Sequence, residues 1–443
     1  MSWNDTLDER NSWGMSAGLQ SDRPDNGAQV SGNYQHLSSA GEWDISGTYA
    51  ANDYSSVSSS WSGSFTATQY GAAFHRRSST NEPRLMVSTD GVADIPVQGN
   101  LDYTNHFGIA VVPLISSYQP STVAVNMNDL PDGVTVAENV IKETWIEGAI
   151  GYKSLASRSG KDVNVIIRNA SGQFPPLGAD IRQDDSGISV GMVGEEGHAW
   201  LSGVAENQKF TVVWGDSQHC SLHLPEHMED TRKSPDFTLS LIKEMKMTFM
   251  KGLPLLLLVA SLCSHAALQP DRTRIVFNAN DKATSLRVDN RSDKLPYLAY
   301  SWLENEKGEK SDDLLVALPP IQRLEPKATT QVRIVKQAST TKLPGDRETL
   351  FFYNMREIPP APEKNSDHAV LQVAIQSRIK VFWRPAALRK KAGEKVELQL
   401  QVSQQGNQLT LKNPTAYYLT IAYLGRNEKG VLPRLQNRDG CAF

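Results

Sequence analysis

Met245-Lys246-Met247-Thr248-Phe249-Met250-Lys251-Gly252-Leu253-Pro254-Leu255-Leu256-Leu257-Leu258-Val259-Ala260-Ser261-Leu262-Cys263-Ser264-His265-Ala266-Ala267 divides this chain and decides which stretches fold together. Lys246 and Lys251 make a positive entry, Leu253 to Leu262 is an apolar block, and Ser264-His265-Ala266 has the small, spaced, small pattern of a signal-peptidase site. A bilayer-spanning helix wants roughly twenty apolar residues, about twice what this block offers. A buried core helix does not start on a Met and two lysines. Residues 245–266 therefore read as an internal secretory signal, cut beside Ala266 and Ala267. Such a segment belongs at the start of a protein, so the chain reads as the end of one exported protein joined to the start of another.

Composition sets wide bounds. A length of 443 residues accommodates several domains. With 45 basic and 49 acidic residues, a net charge of -4 and no basic tract, nothing indicates a nucleic-acid partner. The three cysteines, Cys220, Cys263 and Cys441, are too few and too far apart for a disulfide framework.

Upstream of the signal, residues 1–81 are rich in Ser, Gly, Asn, Tyr and Trp. Trp43, Ile45, Gly47 and Tyr49 alternate with Asp44, Ser46 and Thr48, which places aromatic groups on one face of a strand and polar groups on the other. Similar runs at Trp13 to Leu19, Ala28 to Tyr34 and Val57 to Phe65 are separated by turn formers such as Asp25-Asn26-Gly27. Strands of this kind fit a transmembrane β-barrel, with lipid on one side and a wet lumen on the other. A soluble antiparallel sheet has nearly the same pattern, and the alternation alone leaves both open.

From Pro83 the texture changes to Val and Ile alternation with Pro/Gly turns, as in β-sandwiches. Thr104-Asn105-His106-Phe107-Gly108-Ile109-Ala110-Val111-Val112-Pro113, Asn128-Asp129-Leu130-Pro131-Asp132-Gly133-Val134 and Gly172-Gln173-Phe174-Pro175-Pro176-Leu177-Gly178-Ala179 resemble the C-terminal region of the outer-membrane ushers that secrete fimbrial subunits. The resemblance implies the last barrel strands in 1–81, a periplasmic β-domain in 82–160 and a second β-sandwich in 161–233, with 234–244 as a junction. Ushers of this type pair a cysteine at the position resembling Cys220 with one nearer their C-terminus, and none follows here before Cys263. Two catalytic-looking patterns have ordinary explanations. Gly187-Ile188-Ser189-Val190-Gly191 fits G-x-S-x-G, but an esterase elbow needs a strand leading into a helix, and a Gly/Glu turn follows. His219, Cys220, His223 and His227 have zinc-like spacing, yet read as a strand end and tail.

Downstream of the signal, Arg272 to Phe277, Leu295 to Trp302, Gln331 to Val335 and Leu350 to Met355 are short alternating strands. Pro319-Pro320-Ile321-Gln322-Arg323-Leu324-Glu325-Pro326 and Asp346-Arg347-Glu348-Thr349-Leu350-Phe351-Phe352-Tyr353-Asn354-Met355-Arg356-Glu357-Ile358-Pro359-Pro360 closely resemble the periplasmic pilus chaperones of the P-pilus type. That resemblance implies an immunoglobulin-like sandwich in 267–384 and a truncated second domain in 385–443, where Lys395 to Val402 and Gln408 to Leu411 read as strands. It also implies a function: capping pilin subunits that lack one strand. The matching donor strand is Val370 to Gln376, whose alternation sends Leu371, Val373 and Ile375 to one face. Arg274 and Lys380 match the family's anchors for the subunit's C-terminal carboxylate.

The resulting expectation is an all-β fusion: partial transmembrane barrel strands, two small periplasmic sandwiches, then an immunoglobulin-like domain with an incomplete second sandwich. Its work would be pilus biogenesis by strand donation, with pilin subunits and chaperone-subunit complexes as partners, at the outer membrane and in the periplasm. No enzyme activity, cofactor, metal or nucleic acid is implied. The competing readings are a surface β-sandwich adhesin, which needs neither an internal signal nor the Arg274/Lys380 pair, an esterase built on Ser189, and a fusion without function.

Overall fold

A computed structural model describes residues 1–8, 10–20, 27–51, 54–76, 81–98, 102–114, 116–169, 172–215, 218–224, 237–241, 266–360, 374–391, 393–406 and 408–421. Most of the signal stretch, together with Leu371, Val373, His227, Cys263 and Cys441, lies outside them. Strands carry the architecture, and the only helical pieces among the described residues are short 3-10 turns.

Residues 2–62 form a five-stranded antiparallel meander: Ser2–Thr6, Asn11–Gln20, Gly27–Ser38, Gly41–Ala50 and Ser55–Ser62, each paired to the next in sequence. The register puts Trp3 opposite Met15, Trp13 opposite Tyr34, Tyr34 opposite Ile45 and Trp43 opposite Trp61. Every one of these lies on a single face. The other face is a ladder of small polar groups, with Ser16 opposite Ser31 and Ser46 opposite Ser58, each pair joined through hydroxyls 2.7 Å apart. The aromatic face is open, Tyr49 being 59% and Val57 84% exposed. An uncovered apolar face backed by a face of small and polar residues suits a barrel wall between lipid and water. The run from Val57 to Phe65 breaks at Gly63, where a Cβ would sit 2.5 Å from the Trp61 ring, and a separate hairpin of Ser64–Thr68 and Gly71–His75 follows. That hairpin joins the sheet to the next domain. Ala73 packs on Met86, Ile109 and Val111, and Arg76 pairs with buried Asp102 at 2.7 Å.

The first sandwich is made of small sheets. Arg84–Ser88 lies between Ile109–Pro113 and the parallel Ile150–Ser154, Pro120–Ala124 pairs with Val140–Thr144, and Val134–Val136 with Ser157–Ser159. Their inward residues, among them Leu85, Val87, Ile95, Val112, Val123 and Leu155, make one core. In the second sandwich Lys161–Asn169 has His198–Val204 on one side. On its other side is a parallel strand, Phe237–Leu241, contributed by the stretch read from sequence as a junction. The facing sheet runs Ser189–Met192, Asp180–Gln183, Lys209–Trp214, Gln218–His223. Val165, Ile167, Ile181, Leu201, Phe210 and Val212 fill the space between.

Residues 268–384 form an immunoglobulin-like sandwich. One sheet runs Leu268–Pro270, Ala283–Asn290, Thr329–Lys336, Leu315–Leu318. The other runs Arg274–Asn278, Gln376–Arg384, Thr349–Ile358, Tyr297–Glu304, Ile321–Leu324. Period-two alternation decides what is buried. Ile275, Phe277, Phe351, Tyr353, Val381 and Trp383 point inward onto Leu286, Val288, Val332 and Ile334. Among the described residues beyond Arg384, the hairpin Gln401–Gln405 with Gln408–Lys412 is the only strand structure. Val396–Gln399, expected as strand, is a 3-10 turn. The hairpin ladder starts at Gln401 opposite Lys412, so the residues before it have no ladder partner among the described residues and close i to i−3 bonds instead, Leu398 to Lys395 and Leu400 to Glu397.

Candidate functional site

The outer face of the five-stranded sheet carries the candidate site. Arg274 and Lys380 are register partners on adjacent parallel strands, Lys380 is opposite Phe352, and Phe352 is opposite Glu304. Neighbouring strands lie about 4.8 Å apart, so the four residues form one row across four strands. Their inward neighbours Ile275, Val381, Phe351 and Leu303 are core residues, which fixes this row as outward-facing. Arg274 is exposed and Lys380 half-buried. Two residues before Lys380, Arg378 lies over the Phe352 ring, 3.8 Å from its centroid, and pairs with Glu304 at 3.0 Å. The aromatic ring and Glu304 thus hold Arg378, while Arg274 and Lys380 concentrate positive charge at one register position.

The floor of this face is closed by the segment after the sandwich. Glu348, whose side chain is 1% exposed, accepts from Arg384 Nε at 2.7 Å and from the Tyr418 main-chain N–H at 2.8 Å. The Glu348 N–H donates to Ala416 O at 2.9 Å, and Tyr418 stacks on Phe382 with centroids 5.4 Å apart. A buried carboxylate shared by a guanidinium and a backbone donor is a strong tie, so residues 413–418 are held against this outer face at Phe382, two positions along the strand from Lys380.

Of the expected donor residues, Leu371 and Val373 lie outside the described residues. Ile375 is half-buried, and its carbonyl accepts from Glu357 N–H at 2.9 Å, so the backbone enters the ladder just before Gln376 pairs with Arg356. Ala266 and Ala267 are half-buried and immediately precede the Leu268–Pro270 strand. The Ala267 carbonyl accepts from Arg291 N–H, and the Leu268 N–H donates to the buried Glu357 carboxylate at 2.9 Å.

The two catalytic-looking patterns resolve into strand chemistry. Ser189 opens the Ser189–Met192 strand and donates to Asp180, and a 3-10 turn at Glu195–Gly197 follows where an elbow would need a helix. His219 is exposed and the adjacent Cys220 buried, on opposite faces of one strand, so they do not converge on a metal. Burial pushes the Cys220 thiol up from its ordinary value.

Comparison with known proteins divides the chain at the same place as the signal stretch. The family described as outer membrane usher protein matches residues 1–155, and the PapC C-terminal domain matches 164–226. The pili and flagellar-assembly chaperone PapD N-terminal domain matches 267–389, and the PapD C-terminal domain matches 395–437. The outer membrane usher protein YbgQ of Escherichia coli strain K12 is 96% identical over 233 residues, which are 53% of this chain and 28% of the usher. The chain therefore spans little more than a quarter of that relative. The fimbrial chaperone YbgP of the same strain is 89% identical over 187 residues, 42% of this chain and 77% of the chaperone. Among solved structures, an E. coli P pilus tip assembly intermediate, PapC-PapD-PapK-PapG, aligns at 34% identity and a TM-score of 0.40, covering 55% of this chain and 30% of that one. Usher and pilus chaperone families are assembly proteins. Through the sandwich that carries Arg274 and Lys380, the chain belongs to the fimbrial chaperone family of the PapD type, joined behind the C-terminal part of an outer membrane usher.

Proposed function

We propose that the chain serves pilus biogenesis of the chaperone-usher kind by binding, without catalysis. The observation that carries this reading is the register pairing of Arg274 with Lys380 on adjacent parallel strands. A pilin C-terminal carboxylate laid across that position accepts charge-assisted hydrogen bonds from a guanidinium and an ammonium, each contributing on the order of 1.5–3 kcal/mol. The anchored end fixes the register of the subunit against the edge leading through Ile375. Upstream, Leu371, Val373 and Ile375 then enter the subunit's groove, while backbone bonds supply affinity with little dependence on subunit sequence. The chaperone part, 267–384 with its partner segment 385–443, acts in the periplasm after cleavage beside Ala266 and Ala267. The usher part, 1–233, places its aromatic sheet face in the outer membrane and receives chaperone-subunit complexes through its two sandwiches. Arg274→Ala and Lys380→Ala each lower pilin co-purification at least tenfold while leaving the thermal transition unchanged. Undiminished capture by both variants sinks the anchor reading.

A further inference from the structure

The second sandwich takes one strand from outside the region that matches an usher. The PapC C-terminal domain match ends at residue 226, yet Phe237–Leu241 pairs in parallel with Lys161–Asn169, from Phe237 beside Val165 to Leu241 beside Asn169. On the other side of Lys161–Asn169, pairing with His198–Val204 begins at Lys161 and stops at Ile166. Among the described residues, Ile167, Arg168 and Asn169 therefore have their ladder partners in Leu239, Ser240 and Leu241 alone.

The makeup of this strand is not that of a sheet edge. Val163, Val165 and Ile167 are at most 1% exposed in the core between the sheets, and Ile166, on the opposite face, is buried too. Natural edges are blunted by lysine, proline or a bulge. Here the one irregularity, between Lys161 and Val163, lies before the stretch 165–169, which holds no proline and, but for Arg168, no charge. Without a neighbour, those residues present unpaired N–H and C=O groups along an apolar run, which is a template for an extended chain. Phe237-Thr238-Leu239-Ser240-Leu241 has the chemistry to fill it. Apolar residues alternate with small hydroxyl residues, and the register sets positions 237 and 239 level with the core residues Val165 and Ile167.

We propose that the outer edge of Lys161–Asn169 is a strand-acceptor site for an extended peptide whose apolar residues alternate with small polar ones, and that the chain's own Phe237–Leu241 occupies it in cis. The segment is a built-in cap. It supplies the ladder that residues 167–169 lack and closes the edge to a strand from another chain. Recognition through backbone and alternation explains how a segment beyond the usher-like region can serve. Neither Arg274 nor Lys380 takes part, so the proposal stands apart from pilin capture.

The test uses the full chain in detergent. Alternate N–H groups of a strand face its neighbour, so Thr238→Pro together with Leu239→Pro removes one ladder donor whichever way the strand is phased. In that variant, amide exchange over residues 165–169 quickens on the order of tenfold or more, while exchange in the facing strand Lys209–Trp214 stays slow. A fluorescein-labelled peptide of residues 234–243 then binds the variant saturably and slows that exchange again. It does not bind the unaltered chain, and a peptide carrying the same two prolines binds neither. Register is read separately, without breaking the strand. With Cys220, Cys263 and Cys441 replaced by Ser, the register partners Ile166→Cys and Thr238→Cys form a disulfide on mild oxidation, and Ile166→Cys with Ser240→Cys does not. When isotopically light and heavy chains are mixed before oxidation, the links fall within one chain; links between light and heavy chains put a second copy in the edge and overturn occupancy in cis. Unchanged exchange in the proline variant, peptide binding to the unaltered chain or to neither chain, or absence of the 166–238 link overturns the proposal.

Discussion

Replacing Glu348 with Ala tests how the end of the binding face is built. The side chain is 1% exposed and satisfies Arg384, itself 16% exposed, at 2.7 Å and the Tyr418 N–H at 2.8 Å. Removing one partner of a buried ion pair costs about 3–5 kcal/mol because the other charge is left uncompensated. Arg384 keeps some contact with water and lies 5.4 Å from the Tyr417 ring centroid, so the lower end applies, near 3 kcal/mol. For a domain of this size each kcal/mol moves the midpoint by roughly 2–8 °C. Thermal unfolding followed by tryptophan fluorescence should therefore shift by about 10 °C, and residues 385–421 should become more sensitive to protease than the sandwich. A paired control sharpens the reasoning: Glu348→Met with Arg384→Met buries no lone charge and should lose less than Glu348→Ala alone. A Glu348→Ala loss below about 1 kcal/mol, or a double variant worse than the single, would refute the argument that an uncompensated cation drives the effect.

Two further outcomes follow from other parts of the chain. Ile45→Arg places a charge on the aromatic face of the first sheet and should cost about 2–4 kcal/mol of membrane insertion near mid-depth, while Ser46→Arg on the serine face should be tolerated; equal partitioning of both variants into vesicles would refute the two-faced reading. Asp271 is partly buried, which raises its carboxyl, but the Arg272 guanidinium and the Arg287 N–H outweigh burial and hold it below the ordinary 3.8. A depressed carboxyl contributes stability above the unfolded value and loses it as pH falls through the folded one. Asp271→Asn should thus be less stable by at most about 1 kcal/mol near pH 7, both partners being partly exposed, and the gap should close on acidification below 3.8.

Much of the fold was legible because alternation is local. Trp43, Ile45 and Tyr49 against Asp44, Ser46 and Thr48 state which face is which without knowing the partner strand, and the structure keeps that division across all five strands. Whether such a sheet meets lipid or a core depends on what covers it, so the alternation alone left barrel and soluble sheet open, and the usher resemblance pointed to the barrel. Arg274 and Lys380 lie 106 positions apart, and nothing in their neighbourhoods says that a parallel pairing makes them register partners; the family likeness singled them out. The strand Phe237–Leu241 escaped sequence reading because its partner, Lys161–Asn169, is some seventy positions upstream. Of the stretch Lys395 to Val402, Gln401 and Val402 are strand as expected, but Val396–Gln399 is not, for the converse reason: its composition allows a strand, but a strand needs a ladder, and the hairpin supplies one only from Gln401 onward.

The strand at Phe237–Leu241 also fixes how far the two halves can part. It is anchored in the second sandwich, and the next described residue is Ala266, twenty-five positions on, beside the buried Leu268. At no more than about 3.6 Å per residue, that connection holds Leu241 and Ala266 within roughly 90 Å of each other. While that connection is intact the two halves stay within this reach of each other; once it is cut, nothing covalent limits how far they part.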